Sequence, residues 1–362
     1  MAAAQGFHML EVARTARETA EALTLVLSVP AALAERFRAV PGQHLGFRFM
    51  LDGEEARRNY SITSLGTPGE LAVTVKRVAG GLVSNHIHTA VAAGQAHEVG
   101  PPTGRFVVPK GEGARTHVAI VAGSGITPVI GMIEQVLRDE PASRFVLLYG
   151  NRSVDAIIFR ERLEALKDRH IARLTVLHVL SRDEAADVPL LAGRIDGAKV
   201  KALLAATIGT AVADRYYLCG PGTMIKDARD VLLADGVARE RIGFEFFKQG
   251  PEPTTRRAIT PRPVKDAAPA GTEAVIIFDG ARKTFRVPPG GHIVDAALAA
   301  GISVPYSCKG GMCCTCRAKL VEGRIEMTRN FSLEPWEMAA GFVLACQSVP
   351  QTARVVLDFD QM

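Results

Sequence analysis

The chain has 362 residues, 48% hydrophobic and 22% charged, which is enough apolar material for the cores of two or three domains. A formal net charge of +5 is small for this length, and the basic residues are scattered apart from Arg256, Arg257 and Arg262, so nucleic acid is not an expected partner. The N-terminal stretch Met-Ala-Ala-Ala-Gln-Gly-Phe-His-Met-Leu has neither a charged n-region nor an apolar h-region, and no long apolar run follows it, so a soluble cytoplasmic protein with no membrane partner is expected.

From Phe7 to about Val108, alternating strands such as Leu71-Ala-Val-Thr-Val-Lys-Arg-Val78 are separated by Gly and Pro turns, with one helix expected near Ser84 to Ala93. This pattern predicts a small antiparallel β-barrel. Within it, Arg58-Asn-Tyr-Ser61 puts Arg58 and Tyr60 on one face of a strand. A guanidinium fork suits a pyrophosphate and a tyrosine ring can cover an isoalloxazine; a surface arginine beside a core tyrosine reads the same way. Gly80-Gly-Leu-Val-Ser84 precedes the helix, an arrangement that binds anions and also serves as an ordinary N-cap.

From His117 to Phe247, five apolar runs alternate with helical stretches: His117–Ala122, Arg144–Tyr149, Leu174–Leu180, Arg215–Cys219 and Ile242–Phe247. Strands separated by helices predict a parallel, doubly wound sheet. Its first strand runs into Gly123-Ser-Gly-Ile-Thr-Pro128, with a helix starting about Thr127, and a later one into Cys219-Gly-Pro-Gly-Thr-Met224. Glycines at the carboxyl ends of such strands let a ligand approach the backbone, although a lone tight turn has the same composition and the third glycine of the dinucleotide fingerprint is missing.

Residues from about Lys248 to Thr272 hold Pro251, Pro253, Pro261, Pro263 and Pro269 and almost no large apolar side chains, which predicts a tether. Roughly 24 such residues span about 25–30 Å, far enough for the module beyond them to swing. That module opens with a hairpin expected to turn at Asp279-Gly280, followed by a short helix over Ile293 to Ala300. Cys308, Cys313, Cys316 and Cys346 then follow the pattern C-x4-C-x2-C-x29-C, the plant-type [2Fe–2S] spacing. A zinc site would present a second paired arm, where this chain has Cys346 alone, and a disulfide framework is out of place in a long chain without a secretory signal. Cys314 breaks the spacing if exchanged for Cys313, so it is read as a non-ligand.

Arg58-Asn-Tyr-Ser61, Gly81-Leu-Val-Ser84, Gly123 to Pro128 and Cys219-Gly-Pro221, in this order, resemble the RxYS, GxxS, GxGxxP and CGP motifs of the ferredoxin–NADP⁺ reductase superfamily. With the C-terminal cysteines the chain resembles that superfamily's oxygenase reductases. Pro41-Gly-Gln-His-Leu45, Tyr149-Gly-Asn-Arg152, Gly193-Arg-Ile-Asp-Gly197 and Asn330-Phe-Ser-Leu-Glu-Pro335 extend the likeness to the reductases of bacterial phenylacetyl-CoA epoxidases. The resemblance implies three domains: an FAD-binding β-barrel over 1–112, an NAD(P)-binding α/β domain over 113–247 and, after a linker over 248–272, an α+β β-grasp ferredoxin over 273–362. FAD would be held by Arg58, Tyr60, Ser61, Lys76, Gly81, Val83 and Ser84. NADPH would lie against Gly123, Gly125, Thr127 and Pro128, then Cys219, Gly220, Pro221 and Phe247, with Arg152, Ser181 and Arg182 toward its adenosine end. Thr127, Cys219 and Glu245 would serve the reacting ring. The implied partner is a diiron or Rieske oxygenase, preferably the diiron epoxidase of phenylacetate catabolism; the alternative reading is a general electron donor or redox sensor with no dedicated oxygenase.

Nicotinamide releases two electrons together and a [2Fe–2S] cluster accepts one, so a flavin between them accounts for three modules in one chain. No paired Glu-x-x-His iron site of an oxygenase is present in the sequence.

Overall fold

The computed structural model describes residues 6–64, 67–182, 188–209, 212–247, 271–333 and 335–361. The expected linker lies outside the described residues as far as 270, as do Asp183 and Glu184. The chain forms two compact units, one of them Gly6–Phe247 and the other containing the C-terminal domain.

In the first unit, β1 (His8–Thr19), β2 (Ala22–Ser28), β3 (His44–Leu51), β4 (Glu54–Ser64), β5 (Glu70–Lys76) and β6 (Ala96–Val99) close a barrel in the order β1-β2-β5-β4-β3-β6. Every neighbouring pair is antiparallel. The two-residue period fills its core: Leu23, Leu25 and Leu27 on β2, Leu45, Phe47 and Phe49 on β3, and Leu71, Val73 and Val75 on β5 pack together. α1 (Leu82–Ala90) adds Val83 and Ile87, one helical turn apart, to the same core. It starts two residues before the expected Ser84, because Gly81 takes the N-cap position.

β7 (Thr116–Ala122), β8 (Arg144–Asn151), β9 (Leu174–Leu180), β10 (Arg215–Gly220) and β11 (Ile242–Phe246) form a parallel sheet in the order β11-β10-β7-β8-β9. Alternate residues of β7 serve opposite faces. Ala119 and Val121 pack with α2 (Ile126–Asp139) and α3 (Arg160–Arg169), while Val118 and Ile120 pack with α4 (Gly197–Ile208) and α5 (Gly222–Ala234). Ala22 and Val108 from the N-terminal domain join the α2 face, so barrel and sheet share apolar contact. The strand order reverses direction at β7, which makes the carboxyl edge of β7 and β10 the switch point where open α/β sheets bind ligands.

In the C-terminal domain, β12 (Thr272–Phe278), β13 (Ala281–Val287), β14 (Arg317–Glu322), β16 (Phe342–Leu344) and β18 (Arg354–Asp358) form a mixed sheet in the order β13-β12-β18-β14-β16. β15 (Ile325–Met327) and β17 (Ser348–Pro350) make a separate two-stranded ladder, and α6 (Ile293–Ala299) packs against the main sheet through Ile293, Val294, Ala296 and Ala297. The hairpin turns at Asp279 and Gly280, with φ of +53° and +69°, the double left-handed geometry of a type I′ turn. Thr272, assigned to the linker by composition, is already the first residue of β12 and anchors it by donating from Oγ1 to the Thr352 carbonyl at 2.8 Å. Among the described residues no helix is long and apolar enough to cross a membrane.

Candidate redox sites

The cluster cysteines converge as two pairs, Cys308 with Cys313 and Cys316 with Cys346. Each pair also feels a charge from the other, Cys316 from Cys313 and Cys346 from Cys308. The Cys308 thiol is held down to about 5 by the hydrogen bond from Cys313, helped against burial by the amides of Gly310, Met312 and Cys313. The Cys346 thiol is also lowered, chiefly by Cys316, with Gln347 and the Gly311 amide assisting, while Cys313 and Cys316 are pushed up by their partners. Gly310 N donates to Cys308 Sγ at 3.3 Å and Cys346 N to Cys316 Sγ at 3.5 Å. Two adjacent thiol pairs with amides aimed at sulfur fit a two-iron cluster, in which each iron takes two thiolates. Among the described residues no three metal-binding side chains gather as a single-ion site. Gly311 sits at φ +78°, and a Cβ there would come within 3.0 Å of the Arg329 carbonyl, so a side chain would strain the loop. Cys314 lies outside both pairs and donates from Sγ to Ser332 Oγ at 3.0 Å.

On the barrel, β4 places Arg58 opposite Phe47 and Tyr60 opposite Leu45, the common face expected from their spacing. Arg58 is exposed and donates to the Arg57 carbonyl at 2.7 Å, while the Tyr60 ring meets Phe47 edge-on at 5.7 Å. Burial pushes the Tyr60 phenol up, so it stays neutral. Ser61 is buried opposite His44. The first intrahelical bond of α1 is made by Asn85 N to the Gly81 carbonyl at 3.2 Å, which leaves the earlier amides of Leu82, Val83 and Ser84 at the helix mouth. A Cβ on Gly81 would fall 2.7 Å from Ser84 Oγ and 3.1–3.2 Å from Val78, so a side chain there would make Ser84 turn away. This amide-lined mouth, with an exposed guanidinium on the same barrel, fits an anionic pyrophosphate.

At the switch point, the turn Gly123-Ser-Gly125 is pressed against the end of β10: a Cβ on Gly125 would lie 2.1 Å from the Cys219 carbonyl oxygen. Tyr149 of Tyr-Gly-Asn-Arg152 steadies this turn, donating from its hydroxyl to the Gly123 carbonyl at 3.0 Å. Pro128 occupies the first turn of α2, and Gly220 and Pro221 carry the chain from β10 into α5. Thr127 and Cys219 are 3% and 0% exposed. The Thr127 hydroxyl donates to the Ser124 carbonyl at 2.9 Å, and the Cys219 thiol is pushed up by burial and then by the charge of Glu245. The register pairs Cys219 with Glu245 on β11. Glu245 Oε1 lies 3.7 Å from His44 Nδ1, whose Nε2 is 3.1 Å from Thr103 Oγ1, and Oε2 is buried with no hydrogen-bond partner among the described residues. Cys219 and Glu245 therefore stand side by side on adjacent strands, and the turn that leads into Thr127 is pressed against the Cys219 carbonyl. Phe247 packs against the core on the α2 face.

One strand further on, Ser181 N donates to the Asn151 carbonyl and Arg182 N to the Arg152 carbonyl, both at 2.9 Å, which sets the two arginines on neighbouring strand ends. The Arg152 guanidinium is bonded to Glu21 in the turn between β1 and β2, and Lys76 at the end of β5 is 3.8 Å from the same carboxylate oxygen. Sequence reasoning did not find Glu21, His44 or Thr103 as site residues. His44 lay inside a recognised motif, Pro41-Gly-Gln-His-Leu45, without any chemistry being read from it; Glu21 gave no signal beyond a charge between two strands.

Family models match along the whole chain: the oxidoreductase FAD-binding domain over residues 10–108, the oxidoreductase NAD-binding domain over 119–230 and the 2Fe-2S iron-sulfur cluster binding domain over 276–351. The chain is 41% identical to one of the subunits of 1,2-phenylacetyl-CoA epoxidase from Escherichia coli K12, over 98% of each chain. It is 34% identical to the ferredoxin reductase component of 3-ketosteroid-9-alpha-monooxygenase of Rhodococcus rhodochrous, over 97% of this chain and 96% of that one. Among solved structures, phthalate dioxygenase reductase shares the fold across 98% of both chains, with a TM-score of 0.57 at 22% identity.

Proposed function

Because the chain belongs to the ferredoxin–NADP⁺ reductase superfamily, among the oxygenase reductases with FAD-binding, NAD-binding and [2Fe–2S] domains, we propose that it is the reductase of a diiron phenylacetyl-CoA 1,2-epoxidase working in the cytoplasm. The observation that carries this reading is the 41% identity, over an alignment that spans all three domains, to a subunit of a 1,2-phenylacetyl-CoA epoxidase. The electron-transfer function is common to the family; the partner and the residue roles are the inference. When bound, FAD accepts the electron pair of NAD(P)H and releases electrons singly to the [2Fe–2S] cluster.

The residues then divide the work. Arg58 and the amides at the mouth of α1 hold the flavin pyrophosphate, Ser84 and Gly81 shape that mouth, and Tyr60 covers the ring. The turn at Gly123 and the Cys219-Gly-Pro221 turn admit the nicotinamide against their glycine backbone, with the buried Thr127 hydroxyl and Cys219 thiol as spacers. Glu245, beside Cys219 on the next strand and with one buried oxygen uncommitted among the described residues, supplies a polar group there. Arg182, just beyond β9, pairs with the 2′-phosphate of NADPH in this reading, which favours NADPH over NADH.

Reconstitution tests the partner. Purified protein added to the epoxidase components should give NADPH consumption that depends on phenylacetyl-CoA. Support of a ketosteroid oxygenase instead, with none for the epoxidase, would transfer the assignment to that relative's system.

A further inference from the structure

The strand ends of the α/β domain define the path of a dinucleotide, given the donor assignment above, on which this inference rests. The Gly123 turn follows β7, Arg152 follows β8 and Arg182 follows β9, in adjacent order across the sheet. Neighbouring strands are about 4.8 Å apart, so the outer two positions lie about 10 Å from one another. A nicotinamide at Gly123 and an adenosine phosphate at Arg182 leave the bridging diphosphate over the end of β8, at Arg152.

That position is already in ionic contact. Glu21 reaches across from the barrel and bonds Arg152, and the same oxygen stands 3.8 Å from Lys76 Nζ. Lys76 in turn points at the nicotinamide side of the path: its Nζ would lie 3.6 Å from a Cβ on Gly123. The turn that carries Glu21 is fixed rather than trailing, since Glu21 N is bonded to Thr19 Oγ1 at 3.2 Å and the Glu21 carbonyl accepts from Arg77 N at 2.7 Å. The arrangement is one carboxylate shared by two cations, at the place where a diphosphate needs both.

We propose that Glu21 is a carboxylate clip that occupies Arg152 and Lys76 until the diphosphate of NAD(P)H displaces it, and so sets the affinity for the electron donor. The magnitudes suit a clip that yields. Glu21 and Arg152 are both 44% exposed, and an ion pair so open to water contributes little to stability. A diphosphate offers more charge and more acceptor oxygens than one carboxylate, and bonds the same guanidinium as a fork. The clip also keeps the two cations from repelling each other across the path. Its removal should tighten binding of the donor, the reverse of what loss of a supporting residue does.

The test uses the full-length, flavin-loaded protein with ferricyanide as electron acceptor, comparing the unmodified chain with Glu21→Gln and Glu21→Ala. The expected result is a KM for both NADPH and NADH lowered about three- to tenfold in either variant, with flavin absorbance retained. Inorganic pyrophosphate, used as a competitive inhibitor, should bind more tightly by a similar factor. An unchanged or raised KM together with unchanged or weaker pyrophosphate inhibition would overturn the proposal, because Glu21 would then be orienting Arg152 rather than competing for it. Failure of the donor assignment itself would show separately, as an unmodified protein that oxidises neither nucleotide.

Discussion

At the scale of single residues, the five cysteines of the C-terminal domain separate into four that face one another in two pairs and Cys314, which bonds Ser332 instead. Replacing Cys308, Cys313, Cys316 or Cys346 by Ser should abolish the visible absorption of the cluster, while NADPH still bleaches the flavin, because flavin and cluster reside in separate domains. Cys314→Ser should keep the cluster, since a serine hydroxyl can take over the bond to Ser332 Oγ. Loss of iron in the Cys314 variant together with its retention in the Cys313 variant, measured by iron content and visible spectra, would reverse the ligand assignment. Arg182 is the residue proposed to set the donor preference. Arg182→Ala should raise the KM for NADPH with little change for NADH, narrowing the preference by about 1.5–3 kcal/mol, the worth of one charged hydrogen bond. Equal kcat/KM for the two nucleotides in the unmodified protein would refute that role.

At the scale of elements, the crevice depends on how closely two loops approach. A methyl group on Gly125 would lie 2.1 Å from the carbonyl oxygen and 2.6 Å from the carbonyl carbon of Cys219, and backbone atoms at a sheet edge cannot retreat as a side-chain tip can. Gly125→Ala should therefore push the two turns apart, with a cost of about 1–3 kcal/mol, and weaken nucleotide binding far more than flavin binding. Thermal unfolding and nucleotide titration of the variant measure the two effects. The elements themselves were legible because their periods differ: two in the barrel strands, continuous apolar runs in β7 to β10, and a turn at Asp279-Gly280 whose chemistry demands positive φ. Ligand-bearing loops were legible as well, since glycine and proline mark strand ends. Burial inside those loops was not. Thr127 and Cys219 read as groups offered to the nicotinamide, and their burial to 3% and 0% exposure is a depth no spacing encodes. Glu21 was hidden for another reason: its partners Arg152 and Lys76 are distant in sequence, and charge pairing between domains leaves no local pattern.

At the scale of the whole molecule, buried imidazoles set the response to acid. His97, His117 and His178 each have a pKa lowered from 6.5, in every case chiefly by burial. His117 is fully buried, stacked on Phe145 and Tyr217 and bonded to Glu140 at 3.1 Å, yet burial outweighs that carboxylate. The folded chain thus binds fewer protons than the unfolded chain just below pH 6.5. Their contribution is complete above that value and declines as pH falls through 6.5 toward the lowered native values. Burial raises the Glu140 carboxyl, but Arg115, Ser143 and His117 more than offset it and hold the group below 4.5, so its own contribution is lost only in stronger acid. The melting temperature of the flavin-loaded protein should fall between about pH 7.5 and 5.5, before carboxylates titrate; a flat profile across that range would contradict the assignment.

The position of β18 also governs the order in which a ribosome can complete the molecule. This strand, Arg354–Asp358, lies between β12 and β14, parallel to the first and antiparallel to the second, so the sheet of the C-terminal domain has no centre until translation has passed Asp358. The Gly6–Phe247 unit contains all of its own strands and can fold on the emerging chain well before then. Flavin capture can therefore begin while the C-terminal domain is still incomplete, whereas iron and sulfide can meet a finished cysteine frame only once Asp358 has been added.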